Sequence, residues 1–304
     1  MMRRQDGQAA FVTVAAVLGL LGMAALVLDV GSWFRTQRRL QATADAAALA
    51  GAQALPGAPS NASQLAVQYG NTNGGGVLGS NVAITSTNSS NDTISVQAKT
   101  QDPTFFSKVF GINLVDINAS AKALVGTPSQ ALYVAPMVVS CNHPLIQNCN
   151  GHHSPTFQQQ TTLPFNSLGA PGAFGMLNLA GGNGTPGTSA EAAWILNGFN
   201  QYLGLGLYSS DPGAKFTSSN IQGALNARIG SVLLFPVFDT LKGTGQNAQY
   251  DIIGWIGFYL QNFTMHGNTA TLTGYFTTYI AQGILAQSGQ GSTNFGVKSI
   301  QLIG

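Results

Sequence analysis

RRLQATADAAALAGAQAL (residues 38–55) holds eight alanines, and it follows FVTVAAVLGLLGMAALVLDV (residues 11–30), whose one charge is Asp29. Twenty residues at 1.5 Å each make about 30 Å of helix, the thickness of a bilayer's hydrocarbon core. Alanine is the strongest helix former, so the chain stays helical after the apolar run has ended and no lipid surrounds it. No proline precedes Pro56, and Pro56, Gly57 and Pro59 then stop the pattern. The reading is one helix from about Gln8 to Leu55, roughly 70 Å long. A cleaved secretory signal would carry a shorter apolar region ending at a small-x-small site, so an uncleaved anchor is expected.

Two features of this helix invite a functional reading. Ala42, Ala46, Ala50 and Ala54 recur at four-residue spacing and leave a smooth face that another backbone can approach closely, the expected packing surface for the chain's own sheet or for a partner. Asp29 sits at the edge of the apolar run, where ionisable groups are costly and often functional. It is expected either to reach the interface and cap the span, or to pair with Arg35 or a neighbouring subunit.

Charge is scarce, with 7% of residues Asp, Glu, Lys or Arg against roughly 25% in average soluble domains. The first 55 residues hold five arginines and three aspartates, while the remaining residues hold seven basic and seven acidic groups. The pI near 8.6 therefore belongs to the helix, and the body offers no basic face for phosphates. Nucleic acid is excluded as an expected partner. Arginines flank the apolar run on both sides, so the positive-inside count does not orient it. A long, weakly charged domain is translocated largely regardless of flanking charge, which places residues 56 to 304 outside the membrane as an expectation.

Arg3, Arg4 and Gly7, the apolar span ending Asp29-Val30-Gly31, then Arg39-Leu40-Gln41 and Asp45-Ala46-Ala47-Ala48-Leu49-Ala50-Gly51-Ala52 resemble the N-terminal domain of Tad/Flp pilus-assembly proteins of the TadG-like kind. The resemblance covers about the first 55 residues. It implies a bacterial single-pass inner-membrane protein with a periplasmic body, and it does not imply an enzyme. No enzymatic activity and no cofactor are expected, and the expected partners are the inner membrane and other pilus-assembly proteins or pilin-like subunits. The pilin-like relatives carry a glutamate early in the apolar run, which this span lacks. Others carry a metal-binding DxSxS string. The nearest text here is Asp116-Ile117-Asn118-Ala119-Ser120, inside an alternating pattern that reads as a strand.

The expected fold is α+β in three segments. They are an anchor and extended helix (1–57), a small pilin-like α+β block (58–126) and a β-rich region (127–304) built on an antiparallel sheet. In the second, a short helix over Ala62–Tyr69 precedes a hairpin in VAITSTNSSNDTISVQAKT, where two period-two runs flank an Asn/Ser/Asp turn, and a third strand in VDINASAKALVG. In the third, AEAAWILNGF and IQGALNARI read as helices, and SVLLFPVFDT, YDIIGWIGFYL and TATLTGYFTTYI as strands of a largely buried sheet.

One cluster carries possible chemistry, CNHPLIQNCNGHH, with Cys141, Cys149, His143, His152 and His153. In an oxidising compartment the pair reads as a disulfide. Zinc is the competing reading, weakened by a C-x7-C spacing wider than that of paired ligands. His266 reads as a surface turn residue. Asp239 and Asp251 flank a loop that could hold a carboxylate pair, with no histidine or nucleophile near in sequence. No catalytic, cofactor or metal residues are assigned. The expected function is membrane-anchored envelope protein of Flp pilus assembly, with a minor pilin-like subunit second and a periplasmic hydrolase a distant third.

Overall fold

The computed structural model describes residues 6–165, 173–181, 185–212, 215–244, 247–267, 269–285 and 292–303. Helix α1 runs Asp6–Ala52, 47 residues without a break, as the alanine content and the absence of proline require. It ends three residues before the predicted limit because its last turn tightens. Gln53, Ala54 and Leu55 N–H groups donate to the carbonyls of Ala50, Gly51 and Ala52, each three residues back, the usual way a helix end satisfies its last acceptors. Helix α2 (Pro59–Thr72) follows, longer at both ends than expected, with proline opening its first turn, where its missing N–H costs nothing.

The chain divides into two compact units, Met1–Leu124 with Gln301–Gly304, and Val125–Ile300. The second half of α1 packs against the block that follows it, on α2 and β2. In the first unit β1 (Val82–Thr85), β2 (Thr93–Pro103) and β3 (Leu114–Gly126) form antiparallel pairs. Asp92 closes the β1–β2 turn by accepting from the N–H groups of Thr87, Asn88 and Ser89. These bonds hold its carboxyl below its ordinary pKa, outweighing the opposing effect of burial. Ile94, Val96 and Ala98 alternate as the buried row of β2, and Ala119, Ala121 and Ala123 as that of β3. The small residues are what close approach of helix to sheet demands.

The second unit carries β4 (Pro128–Ala131), β5 (Val139–Ser140), β6 (Gln160–Phe165), β7 (Ala173–Leu177), α3 (Thr188–Asn197), β8 (Leu203–Gly204), β9 (Gly206–Pro212), α4 (Ser219–Arg228), β10 (Val232–Lys242), β11 (Gln249–His266), β12 (Thr269–Thr277), β13 (Tyr279–Ile280), β14 (Gly283–Leu285) and β15 (Val297–Leu302). The main sheet runs β5-β10-β11-β12-β6, with β9 on β11 and β7 on β9, and a small sheet runs β14-β4-β8. All three predicted long strands are present as its centre. The expected antiparallel sheet holds there, with β5 added to β10 as a short parallel pair, and β13 and β15 form a second short parallel pair outside this sheet.

The sheet centre is buried on both faces, which is why VLLFPVF reads as an unbroken apolar run. Leu233, Phe235, Ile256, Phe258 and Phe276 face one core with Ile195 of α3 and Leu225 of α4. Leu234, Phe238, Tyr250, Ile252 and Trp255 face the other. Stacking of Phe235 on Phe258 and the edge contact of Phe258 with Phe276, both with centroids 5.5 Å apart, lock β10, β11 and β12 together. Gly274 is obligatory in this packing, since a Cβ there would stand 2.0 Å from the Tyr259 carbonyl oxygen.

Candidate functional site

Helix α1 has two halves of opposite character. Residues Phe11 to Leu28 expose Val, Leu, Met and Phe side chains on every side, Phe11 at 76% and Val27 at 70%. The helix is long and apolar enough to cross a membrane. Beyond Gly31 it becomes one-sided. Leu40, Ala44, Ala47, Ala48, Ala52 and Leu55 are almost fully buried, and Gly51 with them.

That buried row meets a matching row on α2, where Ala62, Ala66 and Gly70 are buried. A Cβ at Gly51 would stand 2.5 Å from Ile94 Cδ1 and 2.8 Å from the Ala62 carbonyl oxygen, and one at Gly70 would stand 3.4 Å from Ala47 Cβ. Thr43 Oγ1 donates to the carbonyls of Arg39 and Asn73, tying the two helices beyond the small-residue seam. The predicted row lies beside the one the fold uses. Ala50 is buried, Ala46 and Ala54 are half-buried, and Ala42 is exposed. Four-residue spacing alone drifts around a helix of 3.6 residues per turn, whereas the intramolecular seam (44, 47, 48, 51, 55) follows the i, i+3, i+4, i+7, i+11 pattern of a true helix face. An exposed strip remains over Phe34, Arg38, Ala42 and Leu49.

Asp29 is 1% exposed, although it sits where the apolar run ends. Its Oδ1 accepts from Phe105 N–H at 2.8 Å, and its Oδ2 from Phe106 N–H at 3.1 Å, Ser107 N–H at 2.7 Å and Ser107 Oγ at 2.6 Å. These N–H groups open the 3₁₀ turn Ser107–Phe110, so a carboxylate 76 residues away in sequence acts as its N-terminal cap. Among the described residues Asp29 makes no ion pair with Arg35. The sequence offered no signal for this pairing beyond the cost of a carboxylate at that place.

Cys141 and Cys149 form a disulfide, with Cα atoms 5.0 Å apart. The loop it closes is pinned by Asn148, whose Nδ2 donates to the Asn294 carbonyl and whose Oδ1 accepts from His153 N–H. His143 Nδ1 accepts from Leu145 N–H, and its ring meets the Phe276 edge at 5.2 Å. Burial pushes the His143 pKa down, favouring the neutral ring that this hydrogen bond needs. His152 and His153 are exposed.

Of the remaining candidates, Asp251 pairs with Lys242 at 3.7 Å, and Asp239 sits in the register break between Phe238 and Leu241, beside Asp251 across β10 and β11. His266 ends β11, about 50 Å of extended strand from Asp251. Asp116 Oδ1 accepts from Gln101 Nε2 across the β2–β3 register, as a strand residue does. Among the described residues no three His, Cys, Asp or Glu side chains converge as metal ligands.

A charge cluster that sequence reasoning missed lies in the second unit. Lys215 Nζ donates to Glu191 Oε1 at 2.7 Å, to Asp211 Oδ2 at 2.5 Å and to the Pro186 carbonyl. Glu191 and Asp211 are 0% and 1% exposed. Burial pushes the Asp211 pKa up against the opposing pull of the ammonium. Glu191 stands in the first turn of α3, where a negative charge suits the helix dipole. The ammonium thus joins α3 to the end of β9, a structural role. Only the sequence spacing Asp211–Lys215 hinted at it.

No curated protein and no solved structure matches the chain. The arrangement on α1, an apolar run, a carboxylate at its edge and an alanine seam beyond, falls within residues 7–54, which match the family model described as "Putative Flp pilus-assembly TadE/G-like".

Proposed function

We propose that the protein is anchored in the bacterial inner membrane by α1, exposes both folded units on the periplasmic side, and serves Flp pilus assembly by protein contacts rather than by catalysis. The observation that carries the reading is that one continuous helix holds both the apolar run and the alanine seam of the family domain. Deletion of the gene is expected to abolish Flp piliation. Phosphatase fused at the C-terminus is expected to be active, and activity only of a cytoplasmic reporter there overturns the orientation.

A second reading is supported by the first unit, in which a long helix leaves an apolar half bare and packs its other half on an antiparallel hairpin, the plan of a pilin. On that reading the protein enters the filament. Shearing separates the two: retention in the inner-membrane fraction supports assembly machinery, and recovery with sheared pili supports a subunit.

A further inference from the structure

We propose that the tip of the β2–β3 hairpin, residues 105–114, is a second membrane-contacting element that inserts beside α1 into the leaflet from which α1 emerges. The proposal rests on α1 being a membrane span. Phe105 is 65% exposed, Val109 83% and Phe110 84%, and Phe106, Ile112 and Leu114 are exposed as well. This is an unusual amount of bare apolar surface for one short turn. Its single charge, Lys108, has a long stem that lets the ammonium stay at the headgroups while its neighbours go deeper.

The tip is held at bilayer depth by named contacts. Thr36 Oγ1 donates to Asp102 Oδ2 at 2.8 Å, and five residues on Ser107 reaches Asp29. Between Asp102 and Ser107 the hairpin therefore descends α1 from the level of Thr36 to that of Asp29, seven helical residues or about 10 Å towards the apolar run. Val109 and Phe110 follow Ser107 by two and three residues and are as bare as residues 11–28 of α1.

Backbone polarity is dealt with in the way lipid requires, by partners within the protein. Asp29 takes the N–H groups of Phe105, Phe106 and Ser107. Thr104 N–H donates to Asn113, Val109 to Phe106, Gly111 to Lys108 and Ile112 to Ser107, and Thr104 Oγ1 closes the tip on the Ile112 carbonyl. The tip's place at the edge of the apolar half of α1, where Ser107 meets Asp29, selects lipid as the occupant over a protein partner.

The test uses the full chain in phosphatidylcholine/phosphatidylglycerol vesicles, with an environment-sensitive fluorophore on one introduced cysteine at a time: Val14→Cys, Ser89→Cys or Phe110→Cys. The native cysteines are bridged and take no label, and all three positions are exposed. Lipids with brominated acyl chains are expected to quench the label at positions 14 and 110 and to leave that at 89, in the distant β1–β2 turn, unchanged. Quenching at 14 but not at 110 overturns the proposal while leaving the span intact. In that case, access of aqueous iodide to 110 shows a tip in water, and protection from both quenchers shows a tip covered by protein. Absence of quenching at 14 overturns the span and this proposal together.

Discussion

Asp29 shows how one residue couples distant parts of the chain. Three consecutive N–H groups and a hydroxyl converge on its carboxylate, and a buried donor left without a partner costs about 1 to 3 kcal/mol. Asp29→Ala is expected to loosen the 104–112 turn, read as faster proteolytic cleavage there in detergent. Asp29→Asn keeps one acceptor oxygen and should fall between the two. Lys215 is the second such residue. Its removal strands two buried carboxylates, so Lys215→Ala is expected to destabilise the second unit by about 3 kcal/mol in urea unfolding followed by near-UV circular dichroism. An unchanged midpoint would show that the cluster is solvated in the native protein. Neither role was legible beforehand. Hydrogen-bond partners 24 and 76 residues apart leave no periodic trace in a sequence.

At the scale of the element, α1 was legible in its type and almost in its limits, because helix propensity and the absence of proline act locally. Which face it buries was not. The seam runs through Ala44, Ala47, Ala48 and Gly51, while Ala42 faces solvent. Ala47→Leu is therefore expected to overpack the contact with α2 and cost about 1 to 3 kcal/mol of stability. Ala42→Leu is expected to leave thermal stability within about 0.5 kcal/mol. If Ala42 and its exposed neighbours receive a partner pilus protein, Ala42→Leu lowers piliation without lowering stability, and normal piliation removes that face from consideration. The long strands were equally legible: β10 announced itself as a run of β-branched and aromatic residues, and burial on both faces accounts for the missing alternation.

On the scale of the whole molecule, the disulfide is the covalent element of the second unit. Closing a loop of eight residues' separation stabilises it by about 2 to 3 kcal/mol in the chain-entropy account. Reduction is expected to lower its melting temperature by about 5 to 10 °C, measured on the full chain in detergent with and without dithiothreitol. No shift would mean that Asn148 and the surrounding packing hold the loop unaided. The sequence by itself determined the apolar helix, its continuation through alanine, the neutral body and the principal strands, and it favoured a disulfide between its only two cysteines over zinc. Each of these follows from local propensity, composition or simple arithmetic. Only the tertiary structure decided that the helix and the following block form one unit, which alanines lie in its seam, that Asp29 caps a remote turn, and that an apolar hairpin tip comes down beside the apolar run. These depend on contacts between residues far apart in the chain, and such contacts are selected by the packing of the folded whole.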